Sequence, residues 1–280
     1  MDWWQAVILG LVEGLTEYLP VSSTGHLILA QRMMGIPGGE AADAYAICIQ
    51  AGAIVAVLGL YWRRVRQMSM GLLGRNPQGL KLLINLVAAF VPAMVFGLLL
   101  NKQIKAHLFG LWPIVIAWFI GGIAILAVAK WKGHSNEQRE AANQTGLELT
   151  DLTWKLALII GFAQCIAMWP GTSRSLVTLV AGLAVGMKLA AAVEFAFLLG
   201  VMTLGAATCY DGLKHGSIML ESYGPLPLAI GFLFAFLSAV VAVKWMVAYL
   251  QSHGLQIFGW YRVAIAVVVA VLILAGVLHN

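Results

Sequence analysis

Six apolar stretches constrain this 280-residue chain more than any other feature, because each is long enough to cross a bilayer. A helix needs roughly 20 apolar residues to span the hydrocarbon core. The stretches cover residues 45–62, 82–100, 108–130, 190–210, 226–250 and 257–278. Only 10% of the residues are charged, against about 25% in soluble domains. The sequence therefore predicts an all-α polytopic membrane protein with about six transmembrane helices.

Two further apolar segments are interrupted by prolines. The first precedes Tyr45 and breaks at Pro20, and the second lies at 151–187 and breaks at Pro170. A broken backbone is tolerated in a bilayer only where it is buried in protein or lines a cavity. We therefore predict two re-entrant helix pairs, called here the first and the second broken pair. The scattered cysteines predict no disulfides, and acidic Asp2 in place of a basic n-region predicts no cleavable signal peptide.

The two broken pairs resemble each other in sequence. The aligned positions are Pro20 with Pro170, Ser23 with Ser173, Thr24 with Arg174 and, after a one-residue slip, Glu13 with Gln164. The loops at 63–81 and 130–155 carry more Lys and Arg than those at 101–107 and 211–225, so the positive-inside rule places the first two in the cytoplasm. With that orientation the two halves have opposite topology. We therefore predict inverted repeats at about 1–130 and 151–280, joined by a cytoplasmic connection at 131–150, with a site near the midplane. Topology and anionic lipid headgroups account for the basic loops, and no nucleic acid partner is needed.

Hydroxyl side chains follow each proline and predict an anion site. Ser22, Ser23 and Thr24 are candidate N-caps for a helix starting near Gly25. In the second broken pair the corresponding group is Gly171, Thr172 and Ser173, followed by Arg174. Helix N-termini offer unpaired N–H groups and a partial positive charge, which suit phosphate. Together with the donor fork of the arginine, two such ends predict a clamp for a phosphate or a diphosphate.

Acid and base groups lie on the same helices. Ser23 and His26 are three residues apart and share a face, as a nucleophile and a proton-transfer partner would, although the spacing leaves open which residue attacks. Glu13 and Glu17 also share a face, and two buried carboxylates need a cation or a shared proton between them. A divalent ion such as Mg²⁺ or Ca²⁺, bridged to phosphate oxygens, would meet that need. A proton relay, or simple pairing with Arg174, is the alternative.

Structural explanations exist for each of these residues taken alone. A hydroxyl after a proline is often only a helix cap, and Trp260-Tyr261 fits the aromatic belt at a membrane interface. The functional interpretation gains weight because every strongly polar intramembrane group is expected to lie in the two broken pairs. A transporter for a lipid phosphate would also use an inverted repeat with a midplane site, so this second class stays open.

Two longer strings of residues, one from each broken pair, resemble the motifs of a known family. The strings Glu13-Gly14-Leu15-Thr16-Glu17-Tyr18-Leu19-Pro20-Val21-Ser22-Ser23-Thr24-Gly25-His26 and Trp169-Pro170-Gly171-Thr172-Ser173-Arg174-Ser175 are similar to the two signature motifs of the undecaprenyl-diphosphate phosphatases, the bacitracin-resistance family. The likeness covers essentially the whole chain.

The resemblance implies a multi-pass enzyme of the bacterial inner membrane. Such an enzyme removes the terminal phosphate of a C55 polyprenyl diphosphate and regenerates the lipid carrier for cell-wall synthesis. It also implies a divalent metal requirement, with the family's acidic pair at Glu13 and Glu17. By the same resemblance the catalytic Ser and His fall on Ser23 and His26, and the phosphate-binding Ser and Arg on Ser173 and Arg174. Thr178 stands where the second motif ends in Thr, which implies a further substrate-binding residue. A homodimer is an arrangement that the sequence leaves open.

Three positions depart from the family pattern, all in the second half. Leu176 stands where the motif has Gly, Ala196 where it has Ser, and Met202 where it has Pro. These changes leave the charged groups intact. They bear on substrate preference and turnover, so a phosphatase for a different lipid diphosphate is the remaining alternative.

Overall fold

Eleven α-helices and no β-strand make up the part of the chain that the computed structural model describes, which is residues 1–108, 110–131 and 146–278. Six of these helices are long and apolar enough to cross a membrane, so the predicted all-α polytopic class is confirmed. The helices are α1 Trp3–Thr16, α2 Ser23–Met33, α3 Glu40–Leu60, α4 Trp62–Leu72, α5 Pro77–Leu108, α6 Leu111–Trp131, α7 Trp154–Gln164, α8 Arg174–Ala184, α9 Leu189–Tyr223, α10 Pro225–Ser252 and α11 Gln256–Leu274.

Two segments predicted to be loops are helical. Helix α5 continues through 101–107 to Leu108, and α9 continues through 211–223 for a total of 35 residues. No proline interrupts α9 before Pro225, and the helix ends at Gly224, which has a φ of 75°. At 1.5 Å per residue α9 is about 50 Å long, so it extends beyond a hydrocarbon core of about 30 Å. The predicted connection at 131–150 falls mostly on 132–145, which lies outside the described residues.

Each broken pair consists of two short helices joined by a turn, as predicted. The first is α1 and α2, separated by the turn that contains Pro20. The second is α7 and α8, separated by a 3-10 turn at Cys165–Met168 and by Pro170. Helix α2 begins at Ser23, two residues earlier than the predicted start near Gly25.

A single register relates the two broken pairs. The first helices begin at Trp3 and Trp154, and the second helices begin at Ser23 and Arg174, so each start lies 151 residues after its counterpart. No slip is needed, and the predicted alignment shifts by one residue: Ser23 corresponds to Arg174, and not to Ser173. An alignment on the two prolines is wrong by one residue, because each proline lies inside an irregular turn. The starts of the helices define the register instead.

Glycines allow the first helix of each broken pair to pack closely against a long helix. At Gly10 of α1, an added Cβ would lie 2.5 Å from the carbonyl oxygen of Gly231 in α10. At Gly161 of α7, which corresponds to Gly10 in the register, a Cβ would overlap the backbone of Ala89 in α5. Small residues allow helix backbones to approach closely in membranes. The close contacts α1–α10 and α7–α5 therefore hold the two broken pairs against the long helices, with their turns directed to a shared centre.

Candidate active site

Both broken pairs line one cavity of about 320 Å³. Its polar wall is formed at the breaks in the two pairs, by Glu17, Ser22, Ser23, Thr24, Gln164, Gly171, Ser173 and Arg174. Its other wall comes from α2, α3, α5 and α9 and is mainly apolar. It includes Leu27, Ile28, Ile47, Ala93, Leu204 and Ala207, and it also carries Gln31, Asp43, Gln50 and Thr203. A cavity with one polar and one apolar wall suits an amphipathic ligand with an anionic head.

Glu17 joins the two halves at the centre of this site. Its Oε2 accepts a hydrogen bond from the Ser23 hydroxyl, and its Oε1 accepts one from Nη2 of Arg174. The other terminal nitrogen of Arg174 donates to Thr203 Oγ1 at 2.8 Å. Ser23, the predicted nucleophile, and Arg174, the predicted phosphate clamp, therefore contact the two oxygens of one carboxylate from equivalent positions in the register. Removing Glu17 would leave the buried charge of Arg174 without its partner.

Glu13 lies one turn before Glu17 and is fully buried. Its carboxyl group lies against that of Glu17, no other donor among the described residues reaches its oxygens, and Glu13 does not line the cavity wall. Mg²⁺ is commonly held by one or two carboxylates together with substrate phosphates, so a buried carboxylate against Glu17 fits such an ion. In the described part of the chain no three His, Cys, Asp or Glu side chains converge. Substrate oxygens would therefore have to complete the coordination.

The structure does not bring His26 into hydrogen-bond contact with Ser23. Its Nδ1 lies 2.7 Å from the carbonyl oxygen of Ser22, and its Nε2 lies 2.7 Å from the hydroxyl of Tyr261. The two rings stack with centroids 5.7 Å apart. Tyr261, interpreted from sequence as a belt aromatic, is instead the direct partner of His26. Both ring nitrogens are occupied, so the imidazole is held in one orientation beside the cavity.

Arg262 is a site residue that sequence reasoning missed. The side chain is completely buried, and its guanidinium donates to the carbonyl oxygens of Pro20 at 3.3 Å, Ala117 at 2.9 Å and Gly171 at 2.8 Å. It therefore ties the turn of the first broken pair to the turn of the second. The signal was present in the sequence, since an arginine within an apolar membrane stretch indicates a structural or functional partner.

The residues that precede α2 and α8 have the same unusual backbone. Ser22 has a φ of 76° and Ser173 a φ of 72°, and these are the non-glycine residues with positive φ in the described chain. Such backbone costs on the order of 1–3 kcal/mol and clusters at functional sites. Ser173 also caps α8, because its Oγ accepts the N–H of Leu176 at 3.3 Å. Equivalent strain at both helix starts supports a shared role for the two turns.

The other predicted binding residues divide into two groups. Thr24 and Gly171 line the cavity, whereas Thr172 and Thr178 do not. The hydroxyl of Thr178 is buried and donates to the carbonyl oxygen of Arg174 at 2.8 Å. It therefore stabilises the first turns of α8 and does not line the cavity. Five further polar residues line the cavity and were not predicted: Gln31, Asp43, Gln50, Gln164 and Thr203.

The three departures from the family pattern lie away from the cavity. Leu176 and Ala196 are buried, Leu176 within the main apolar core, and Met202 packs against that core. None of the three lines the cavity wall. They leave its polar side unchanged.

Comparison with known proteins gives a consistent set of relatives. Residues 6–268 match the model of the family described as bacitracin resistance protein BacA. The chain is 43% identical over 270 residues to the undecaprenyl-diphosphatase of Sorangium cellulosum, covering 96% of this chain and 86% of that protein. It is 44% identical over 265 residues to undecaprenyl-diphosphatase 2 of Rhodospirillum rubrum, covering 95% and 93% of the two chains. With the undecaprenyl-diphosphatase of Ectopseudomonas mendocina the identity is 43% over 272 residues, covering 96% and 94%.

Proposed function

We propose a function for this chain on the basis of its family, since the chain belongs to the bacitracin resistance protein BacA family. It is a multi-pass bacterial membrane protein, and it dephosphorylates undecaprenyl diphosphate to undecaprenyl phosphate, the lipid carrier that cell-wall synthesis reuses. The observation that carries this proposal is the contact of Ser23 and Arg174 with the two oxygens of Glu17, within a cavity that has one polar and one apolar wall.

The arrangement assigns a role to each of these three side chains. Ser23 Oγ attacks the terminal phosphorus while Glu17 takes the hydroxyl proton through the hydrogen bond already present. The bond between that phosphorus and the bridging oxygen breaks, and undecaprenyl phosphate leaves. Arg174 stabilises the charge on the transferred phosphoryl oxygens with its planar donors. Water then hydrolyses the phosphoserine, which releases inorganic phosphate and restores the Ser23 hydroxyl.

Ser23 is favoured over His26 as the nucleophile for a geometric reason. Ser23 lines the cavity and already has a proton acceptor, whereas both ring nitrogens of His26 are occupied by Ser22 and Tyr261. His26 accordingly acts as a positioning residue, since its ring holds the carbonyl of Ser22 immediately before the helix that begins at Ser23.

A divalent ion is part of the proposal. Glu13 and Glu17 would hold it, and it would supply positive charge to the phosphate oxygens. The contact between the two buried carboxyl groups supports this assignment, since no other donor among the described residues reaches the oxygens of Glu13.

The inverted repeat also remains a proposal. The shared register of the broken pairs and the equivalent glycine contacts at Gly10 and Gly161 support it. Single cysteines at Arg75 and Ser222, in a background without native cysteines, should label with a membrane-impermeant thiol reagent from opposite sides of the membrane. Labelling of both from one side would contradict the inversion. The molar mass of the detergent-solubilised protein tests whether it forms a homodimer.

Purified protein in detergent provides the direct test of the enzyme. Release of inorganic phosphate from a polyprenyl diphosphate is expected there, where no membrane gradient exists. A protein that binds the lipid but releases no phosphate would instead be a lipid-phosphate transporter.

A further inference from the structure

Gln164 is a buried polar side chain on the cavity wall, and the proposed reaction leaves it without a role. It is the last residue of α7 and is 2% exposed. Neither its amide nitrogen nor its amide oxygen has a hydrogen-bond partner among the described residues. The same cavity is also lined by Glu17, Ser23 and Arg174.

An unpaired buried amide is costly, and buried polar groups in folded proteins almost always have partners. The exceptions therefore call for an explanation. Asn85 illustrates the usual state: it is 1% exposed, and its amide donates to the carbonyl oxygen of Leu152 at 2.8 Å. Gln164 differs because the residue lines a cavity, so a ligand bound there can satisfy the amide.

The register of the broken pairs indicates what that ligand is. Gln164 corresponds to Glu13, since Gln164 lies ten residues before the start of α8 at Arg174 and Glu13 lies ten residues before the start of α2 at Ser23. Both side chains are buried, but Glu13 is an acid that lies against Glu17 away from the cavity wall, whereas Gln164 is a neutral residue of that wall whose amide has no partner among the described residues. An amide offers two N–H donors and brings no negative charge. A carboxylate at the same place would repel an anion that Arg174 attracts.

We propose that Gln164 is a substrate-binding residue whose amide donates a hydrogen bond to a non-bridging oxygen of the diphosphate. This inference deepens the proposed phosphatase function and rests on it. Arg174 supplies the charge at the site, and Gln164 supplies a neutral donor from the same broken pair. The two groups contact the anion without adding a second positive charge beside Glu17.

The substitution Gln164→Met tests the contact, because Met keeps the length of the side chain and removes the amide. Loss of a hydrogen bond to a charged group weakens binding on the order of 10- to 100-fold. We therefore expect KM for a polyprenyl diphosphate to rise by about that factor. We also expect the increase in Tm that inorganic pyrophosphate produces in the wild type to shrink, since bound ligand stabilises the folded state.

The ligand-free protein gives an independent readout. Replacing an unpaired amide by an apolar side chain removes a desolvation penalty, so Gln164→Met should leave the ligand-free Tm unchanged or raise it. The matched control Asn85→Leu leaves the Leu152 carbonyl without its donor. It should lower Tm and leave KM and the pyrophosphate response at wild-type values.

Two results would overturn the assignment. One is a wild-type KM and a wild-type pyrophosphate response in Gln164→Met. The other is a fall in ligand-free Tm as large as that of Asn85→Leu, which would mean that the amide has a structural partner. If wild-type protein hydrolyses no diphosphate, the proposed function fails, while the comparison of pyrophosphate binding between wild type and Gln164→Met still decides the role of Gln164.

Discussion

Arg262 donates a 2.8 Å hydrogen bond from Nη2 to the carbonyl oxygen of Gly171, across 91 residues of sequence. The same guanidinium reaches the carbonyl of Pro20, so one side chain of α11 fixes the turns of both broken pairs. These turns lie deep in the protein, where water cannot replace a lost donor. The relative position of Ser23 and Arg174, which follow the two turns, therefore depends on Arg262.

Substitution of Arg262 by Met should reduce both stability and turnover. Three backbone carbonyls lose a donor, and each unpaired buried acceptor costs about 1–3 kcal/mol. We expect a lower Tm and a fall in kcat larger than the change in KM, because the reacting groups lose their alignment. Thermal unfolding in detergent and steady-state phosphate release measure the two effects.

Arg262→Lys should recover only part of both losses, since a single ammonium cannot reach three carbonyls from a planar fork. Wild-type kcat in Arg262→Met would show that the turns are held without it.

Arg174→Ala should lower phosphate release by roughly 100-fold or more, the usual cost of losing a preorganised transition-state donor. Arg174→Lys should not restore activity, because an ammonium cannot engage Thr203 and a phosphoryl oxygen with a planar pair of donors. Arg63→Ala, which changes an exposed arginine at the start of α4, is the matched control and should be fully active. Near-normal turnover in the Lys variant would refute the clamp.

The sequence predicted the parts of the fold that depend on local signals. Apolar length identified the six spans, and the prolines identified both breaks. The long helix α9 was cut short in the prediction because hydropathy falls after Tyr210, although nothing in the chain stops the helix before Gly224.

The missed contacts are those between residues far apart in the chain. The partners of His26 and Pro20 lie in α11, at Tyr261 and Arg262, more than 230 residues away. Composition and spacing carry no information about such a contact. Spacing on one helix did place Ser23 and His26 together, but the hydroxyl instead points to Glu17, because the turn at Ser22 has a positive φ.

The nucleophile can be identified by trapping the phosphoenzyme. With labelled substrate and a rapid acid quench, the wild type should give an acid-stable phosphoserine adduct at Ser23. Ser23→Ala should lose the adduct and the activity. His26→Ala should retain the adduct at a reduced rate, because it removes only the group that orients Ser22. An acid-labile adduct that persists in Ser23→Ala would assign the attack to His26.

The acidic pair can be tested by comparing two amide variants under chelation and metal titration. Glu13→Gln removes a carboxylate that none of the donors of Ser23 and Arg174 reaches, so the loss should appear as a higher concentration of Mg²⁺ or Ca²⁺ needed for half-maximal phosphate release. Glu17→Gln removes both a metal ligand and the acceptor for Ser23 and Arg174, so its activity should stay low even at saturating metal. Metal titration of phosphate release separates these outcomes. If Glu13→Gln loses activity while its apparent metal affinity is unchanged, Glu13 serves as a proton relay, and the metal site at this pair is refuted.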